Sequence, residues 1–165
     1  MLRPLATALS LLVLTAGAMA QSSSDKASDG DFTGIAMLTD DANWHEQFER
    51  PETPQISGID RVAAGGSGTL ALLFSNAEPR DGVVRILCDV TAFDPSGTQP
   101  VIKAGPCYEG PFGGPNVLHP TLLDLTFGIG KDEAEGQAGF EVTLHDAHSG
   151  RSVDLTVTFT QGGAP

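Results

Sequence analysis

The chain has 165 residues, with 21 acidic against 9 basic side chains and a formal net charge of −12 at pH 7. A surface of that sign repels phosphate backbones and anionic lipid headgroups, so nucleic acid and membrane surfaces are excluded as partners on electrostatic grounds. With 40% hydrophobic residues, one Trp and one Tyr, there is apolar material for a single core but few aromatic platforms for a sugar-processing cleft.

Residues 1–20 have a basic start at Arg3, an apolar run over residues 9–14, and the small-x-small ending Ala18, Met19, Ala20. This pattern predicts a secretory signal peptide cut before Gln21. The run is too short to remain as a membrane anchor, and no later stretch is apolar enough to span a bilayer. Cleavage removes only Arg3 from the charge count, leaving 145 residues with 8 basic and 21 acidic side chains, a formal −13.

Residues 21–31 are small, polar and acidic with nothing to bury, which predicts a disordered leader. Asp25, Asp29 and Asp31 miss the spacing of a calcium-binding loop. The folded domain is expected over residues 32–160. It opens with a strand from Phe32 to Leu38. Thr39 or Asp40 then caps a short helix that puts Trp44 and Phe48 on one face, and Pro51 ends it. Trp44 is read as an anchor against the rest of the domain.

From residue 54 onward, period-two alternation broken by Gly, Pro, Asn and Asp signals antiparallel strands. Leu70, Leu72 and Phe74 share one face. Val84, Ile86, Cys88, Val90 and Ala92 form the apolar face of a central strand, with Val83, Leu87 and Phe93 adding bulk on the other side. Residues 94–97 (Asp-Pro-Ser-Gly) read as a turn, and residues 99–104 as a short returning strand. Residues 105–120 contain four prolines and four glycines in sixteen positions, which predicts a long loop without ladder pairing. Strand character returns over residues 122–129. The clearest element is a hairpin in which Phe140, Val142 and Leu144 face Val153, Leu155, Val157 and Phe159 across the turn at residues 146–150. Residues 161–165 read as a flexible tail.

Cys88 and Cys107 are an even pair in an exported chain, and a bridge between them would stabilise by roughly 3 kcal/mol in the chain-entropy model. Two free thiols or an intermolecular bridge are the alternatives. The spacing does not match a redox C-x-x-C motif.

Residues 139–155, with an aromatic-led strand, an Asp-x-x-Ser-Gly turn and a Val/Leu/Thr strand, resemble the last hairpin of immunoglobulin-like and fibronectin-like domains. The opening around Phe32, Trp44, Arg50, Pro51, Ile59 and Asp60 resembles a group of uncharacterised proteobacterial periplasmic proteins. That group implies no activity. A cysteine often precedes the central strand there, whereas residues 75–78 here contain none, so no bridge placement carries over. The resemblance and the strand spacing together imply an all-β fold: a single immunoglobulin-like β-sandwich of about seven antiparallel strands with a short N-terminal helix.

No catalytic constellation stands out. Ser149, His148 and Asp146 are too close in sequence for a triad, residues 65–68 lack the nucleophile-elbow spacing, and residues 128–133 fail the dinucleotide fingerprint for want of a third glycine. The expectation is a non-enzymatic periplasmic, or extracellular, binding or protein-interaction module without cofactor. Its partner would be a periplasmic or envelope protein met by Tyr108 and Phe112 on the Pro/Gly loop; the same rings could instead cover the edge of the core. A copper or zinc carrier using His145, Asp146 and His148 at the hairpin tip is the alternative, with His45 and His119 as further ligands if the fold brings them near. A third reading has an edge strand exchanged with an envelope assembly.

Overall fold

A computed structural model describes residues 23–162 apart from Thr98. The expected signal segment at residues 1–20 and the last three residues of the expected tail lie outside the described residues. The fold is all-β, with ten strands in two five-stranded sheets. The strands are β1 (Ser24–Asp29), β2 (Phe32–Thr39), β3 (Arg61–Val62), β4 (Ser67–Ser75), β5 (Val83–Phe93), β6 (Val101–Pro111), β7 (His119–Pro120), β8 (Leu125–Gly128), β9 (Gly136–Asp146) and β10 (Ser152–Gln161).

In the first sheet β1, β2 and β4 run side by side, and the far side of β4 carries β8 over Ser67 to Leu70 and β7 at Leu73 and Phe74. The second sheet has the order β3, β10, β9, β5, β6, antiparallel throughout except that β3 runs parallel to β10. One core lies between them. Phe32, Leu38, Leu70, Leu72 and Phe74 from the first sheet meet Val84, Ile86, Val90, Leu144, Leu155 and Val157 from the second. Each such side chain contributes about 1.5–3 kcal/mol when fully buried. The layers approach closely at Gly34 of β2, where a β-carbon would sit 2.6 Å from Val153 and 3.0 Å from Leu144.

The β9–β10 hairpin matches its sequence pattern, pairing from Ser152 with His145 to Gln161 with Gly136. About seven strands are expected from the sequence and ten are found among the described residues, because ladder pairing extends to Ser24–Asp29 and to the two-residue pieces Arg61–Val62 and His119–Pro120. Four further expectations need correction. The leader is not wholly disordered, because Ser24–Asp29 pairs with β2 from Met37 to Phe32. On this strand Asp25, Ala27 and Asp29 alternate toward β10. Ala27 packs on the core, while Asp25 Oδ2 accepts the Thr156 N–H at 2.8 Å and Asp29 Oδ2 accepts the Ser152 N–H at 3.2 Å. Carboxylates binding backbone donors hold an element that has almost no apolar pattern.

The second correction is the proline-rich stretch. β6 continues to Pro111 and pairs with β5 as far as Val83, and His119–Pro120 forms β7. An edge strand tolerates proline because its outward side needs no donor. The irregularity is absorbed by bulges: Ile86 faces Tyr108 and Leu87 faces Pro106, so Cys107 is an extra residue, and Val90 faces Lys103 while Thr91 faces Val101, so Ile102 is another. Third, the expected helix is a 3₁₀ turn over Trp44–Glu49, ended by Arg50 in an extended conformation before Pro51. Thr39 and Asp41 bond the backbone of Asp41 and Asn43 and neither caps the turn. Trp44 is nevertheless an anchor: it is fully buried with Ala71 and Leu73 on the outer face of the first sheet, with Phe48 edge-on at 6.0 Å. Fourth, Gln161 of the expected tail is the last residue of β10 and is buried.

Candidate functional site

An aromatic concave feature lies at one end of the two layers, where β8 of the first sheet faces β5, β9 and β10 of the second. It is a cleft of about 370 Å³ walled by Phe93, Ile102, Leu125, Phe127, Phe140 and Phe159 among others. That volume lies within the range of small-molecule and side-chain pockets. Three rings form its floor, Phe127 standing 5.1 Å from both Phe140 and Phe159. Local backbone shape makes the room. Gly139 on β9 has no β-carbon to strike the Val157 carbonyl, and the Phe93 ring lies against it.

The polar groups of the cleft are few and largely engaged. Asp94 Oδ1 accepts the Ser96 N–H at 2.8 Å and the Ser96 hydroxyl at 2.5 Å. Thr126 shares a hydroxyl hydrogen bond with Thr69 at 3.3 Å, and Gln161 Nε2 donates to the Ala134 carbonyl at 3.0 Å. Glu133 is the other carboxylate, and the lining contains no basic side chain. Such a site offers apolar contact and a negative rim.

Next to the cleft the start of β6 is exposed. Val101 is 70% accessible and Ile102, which also lines the cleft, is 47% accessible. A second hollow, on the outer face of the first sheet, lies between Ile35, Met37 and Leu73 and the segment around Phe48, with Leu118 at its side. It is the space beside the Trp44 anchor.

The residues singled out from the sequence occupy other places. Tyr108 is half-buried, with its ring 4.9 Å from Phe74 and 5.9 Å from His119, and its hydroxyl donates to the Pro111 carbonyl at 3.4 Å. Burial pushes its phenol above the ordinary value of 10.0. Phe112 packs against the same core. Both rings therefore lie in the covering of the core. His119 stacks on Phe74 at 5.4 Å, and burial pushes its imidazole below the ordinary 6.5.

Asp146 is fully buried and acts as the hub of the hairpin tip. Its Oδ2 accepts the Glu78 N–H at 2.8 Å and the Ser149 hydroxyl at 2.6 Å, and its Oδ1 accepts the His148 N–H at 3.1 Å. The His148 Nδ1 bonds the Glu78 carbonyl at 3.1 Å, while His145 sits within β9 opposite Ser152 and Leu87. His45 bonds the Thr121 carbonyl at 2.9 Å. Among the described residues no group of three or more His, Cys, Asp or Glu side chains could hold a metal ion. Nothing favours the carrier reading over the structural use of these groups.

Cys88 and Cys107 are joined, with Cα atoms 5.7 Å apart, so the bridge links two neighbouring strands and fastens β6 to β5 inside the core. Among the described residues no helix is long and apolar enough to cross a membrane. The chain matches no protein family, and no curated protein resembles it.

The cleft was not read from the sequence because its walls come from β5, β6, β8, β9 and β10. Two local signals pointed toward it. Phe93 broke the polar side of the central strand, and Val101 with Ile102 put two β-branched residues in succession after Pro100. Strict alternation buries only one of two such neighbours.

Proposed function

We propose that this chain is an exported, non-enzymatic binding module of the periplasm, built on an immunoglobulin-like β-sandwich, and that its recognition site is the aromatic cleft between the sheets. The observation that carries this reading is the cleft of about 370 Å³ lined by Phe93, Phe127, Phe140 and Phe159. Apolar walls with a few fixed polar groups are the chemistry of binding. Most of the polar side chains there are tied to structural partners instead of being grouped as nucleophile, base and oxyanion donor. The leader at residues 1–20 and the bridged cysteines support export to an oxidising compartment. Immunoglobulin-like sandwiches carry unrelated functions, so the reading rests on the site and not on the fold.

The test is a titration of the mature protein with the neutral fluorophore N-phenyl-1-naphthylamine. Saturable enhancement is expected, and it should be lost in Ala92→Phe, which fills the cleft from β5, while the thermal melt stays cooperative. A wild-type protein that gives no saturable enhancement would overturn the reading.

A further inference from the structure

The four sheet edges of this molecule differ in how they are protected. An unpaired strand edge is a template for another chain, and folded proteins block it with charge, proline, bulges, short strands or a covering segment. β1, the edge of the first sheet, is short and carries Asp25, Lys26 and Asp29. The opposite edge of that sheet consists of β7, two residues long and ending in Pro120, and β8, four residues long. In the second sheet β3 covers only the last two residues of β10, and the side chains of Asp25 and Asp29 cap N–H groups further along it.

β6 is the remaining edge, and it divides into two halves. From Gly105 to Pro111 it is bulged, carries Pro106 and Pro111, and is covered at Cys107, whose carbonyl accepts the Leu122 N–H at 2.7 Å. From Val101 to Ala104 among the described residues no strand pairs with its outer side. There the chain exposes Val101 and Ile102, Ile102 being the extra residue of a second bulge, and Lys103 is the one charged residue of this half. Ile102 is also a wall of the cleft. Neighbouring strands lie about 4.8 Å apart, so a strand added beside Ile102 would bring a side chain to the cleft mouth.

We infer that the open half of β6 and the adjoining cleft receive an extended segment of a partner protein by strand addition, with one apolar side chain seated among Phe93, Phe127 and Phe140 and basic residues beside it. Main-chain hydrogen bonds to β6 supply the attachment, and the cleft supplies side-chain selection. The charge of the segment follows from the two carboxylates at the cleft, the absence of any base in its lining, and the net −12 of the chain. This inference rests on the cleft being the recognition site and adds what occupies it. A second copy of the same acidic chain is the electrostatically disfavoured occupant.

The experiment uses the mature chain with its disulfide intact and a short dye-labelled peptide in which lysine alternates with valine and phenylalanine, followed by fluorescence anisotropy. A twin methylated on alternate backbone nitrogens keeps the same charge and side chains but cannot complete the ladder. The parent peptide should bind at least about tenfold more tightly than this twin, and more tightly than a twin with glutamate in place of lysine. Ile102→Lys should abolish binding, whereas Leu122→Lys, on the guarded half, should leave it unchanged. Equal binding of the methylated twin, or an unaffected Ile102→Lys, would overturn strand addition. If N-phenyl-1-naphthylamine binds and no peptide does, the cleft remains the site and the strand partner falls. If neither binds, both readings fall.

Discussion

β10 and β6 flank the same sheet, and the chain deals with their outer sides in opposite ways. β10 alternates Val153, Leu155, Val157 and Phe159 with polar residues and contains no proline, so an uncovered β10 would pair with almost any extended chain. A polar strand from the other sheet spends two carboxylates to cap it. β6 is protected over its second half by the bulge at Cys107 and by Pro106 and Pro111, whereas its first half, although bulged at Ile102, leaves Val101 and Ile102 exposed to water. One edge of this sheet is capped, and the other presents two large exposed apolar residues, which is the difference that the inferred strand addition uses.

The contrast breaks most severely where β2 crosses β10. In Gly34→Val the added methyls would overlap Val153, Leu144 and Leu155, forcing the first sheet off the second. The expected loss is about 3 kcal/mol, read from urea unfolding, with β1 released from β10 at the same time. A stability within error of wild type would mean that the layers are less closely packed than this geometry requires.

Asp146→Ala comes next. It strips three donors, the Glu78 and His148 N–H groups and the Ser149 hydroxyl, of one buried acceptor. Leaving such groups unpaired costs about 2–3 kcal/mol, and amide exchange at the β9–β10 turn should accelerate while the start of β6 is unchanged. The double change Asp25→Ala with Asp29→Ala removes two carboxylate caps, worth about 1 kcal/mol each. Its distinctive outcome is sedimentation: uncovered N–H groups on β10 should make the variant self-associate with concentration. A variant that stays monomeric would show that β1 packing, and not its carboxylates, shields the edge.

The hairpin was legible because one residue in two along β9 and β10 is apolar and the turn residues are typical, so period alone fixes which face is buried. Trp44 was legible for its size. β1 was not, since its anchorage is two side-chain oxygens on a strand more than a hundred positions away, and composition reads such a segment as solvated. Only the start of β6 was legible, as the returning strand over residues 99–104; its continuation to Pro111 was not, since proline and glycine forbid a central strand but not an edge one, and sequence does not reveal which strands are edges. The aromatic cleft was invisible for a related reason: Phe127, Phe140 and Phe159 each read as ordinary inward residues, and only the meeting of β8 with β9 and β10 turns them into one surface.

The guarded half of β6 has a pH response that the open half lacks. His119 on β7 stacks on Phe74 with Tyr108 tilted beside it, and burial lowers its pKa below 6.5. Its neutral form is therefore the one the fold accommodates. The associated stability is complete above the unfolded value near 6.5 and is lost as pH falls from there through the lower folded value. Replacing His119 by Gln should flatten the fall in melting temperature between neutral and mildly acidic pH. An identical fall in wild type and variant would assign the acid sensitivity to the carboxylates instead.

The smallest effect is expected at the open half, and its smallness is informative. Val101→Lys and Ile102→Lys alter side chains that already face water, so each should change the unfolding free energy by less than about 0.5 kcal/mol. A residue that served the core could not be replaced by a charge at that cost, as the buried Val90 and Val142 further along the same sheet illustrate. Loss of folding in either variant would place Val101 and Ile102 with the guarded elements and remove the distinction between the two edges. Retained folding with an added edge lysine would mean that their apolar surface does nothing for stability, leaving contact with another molecule as the use the structure provides for it.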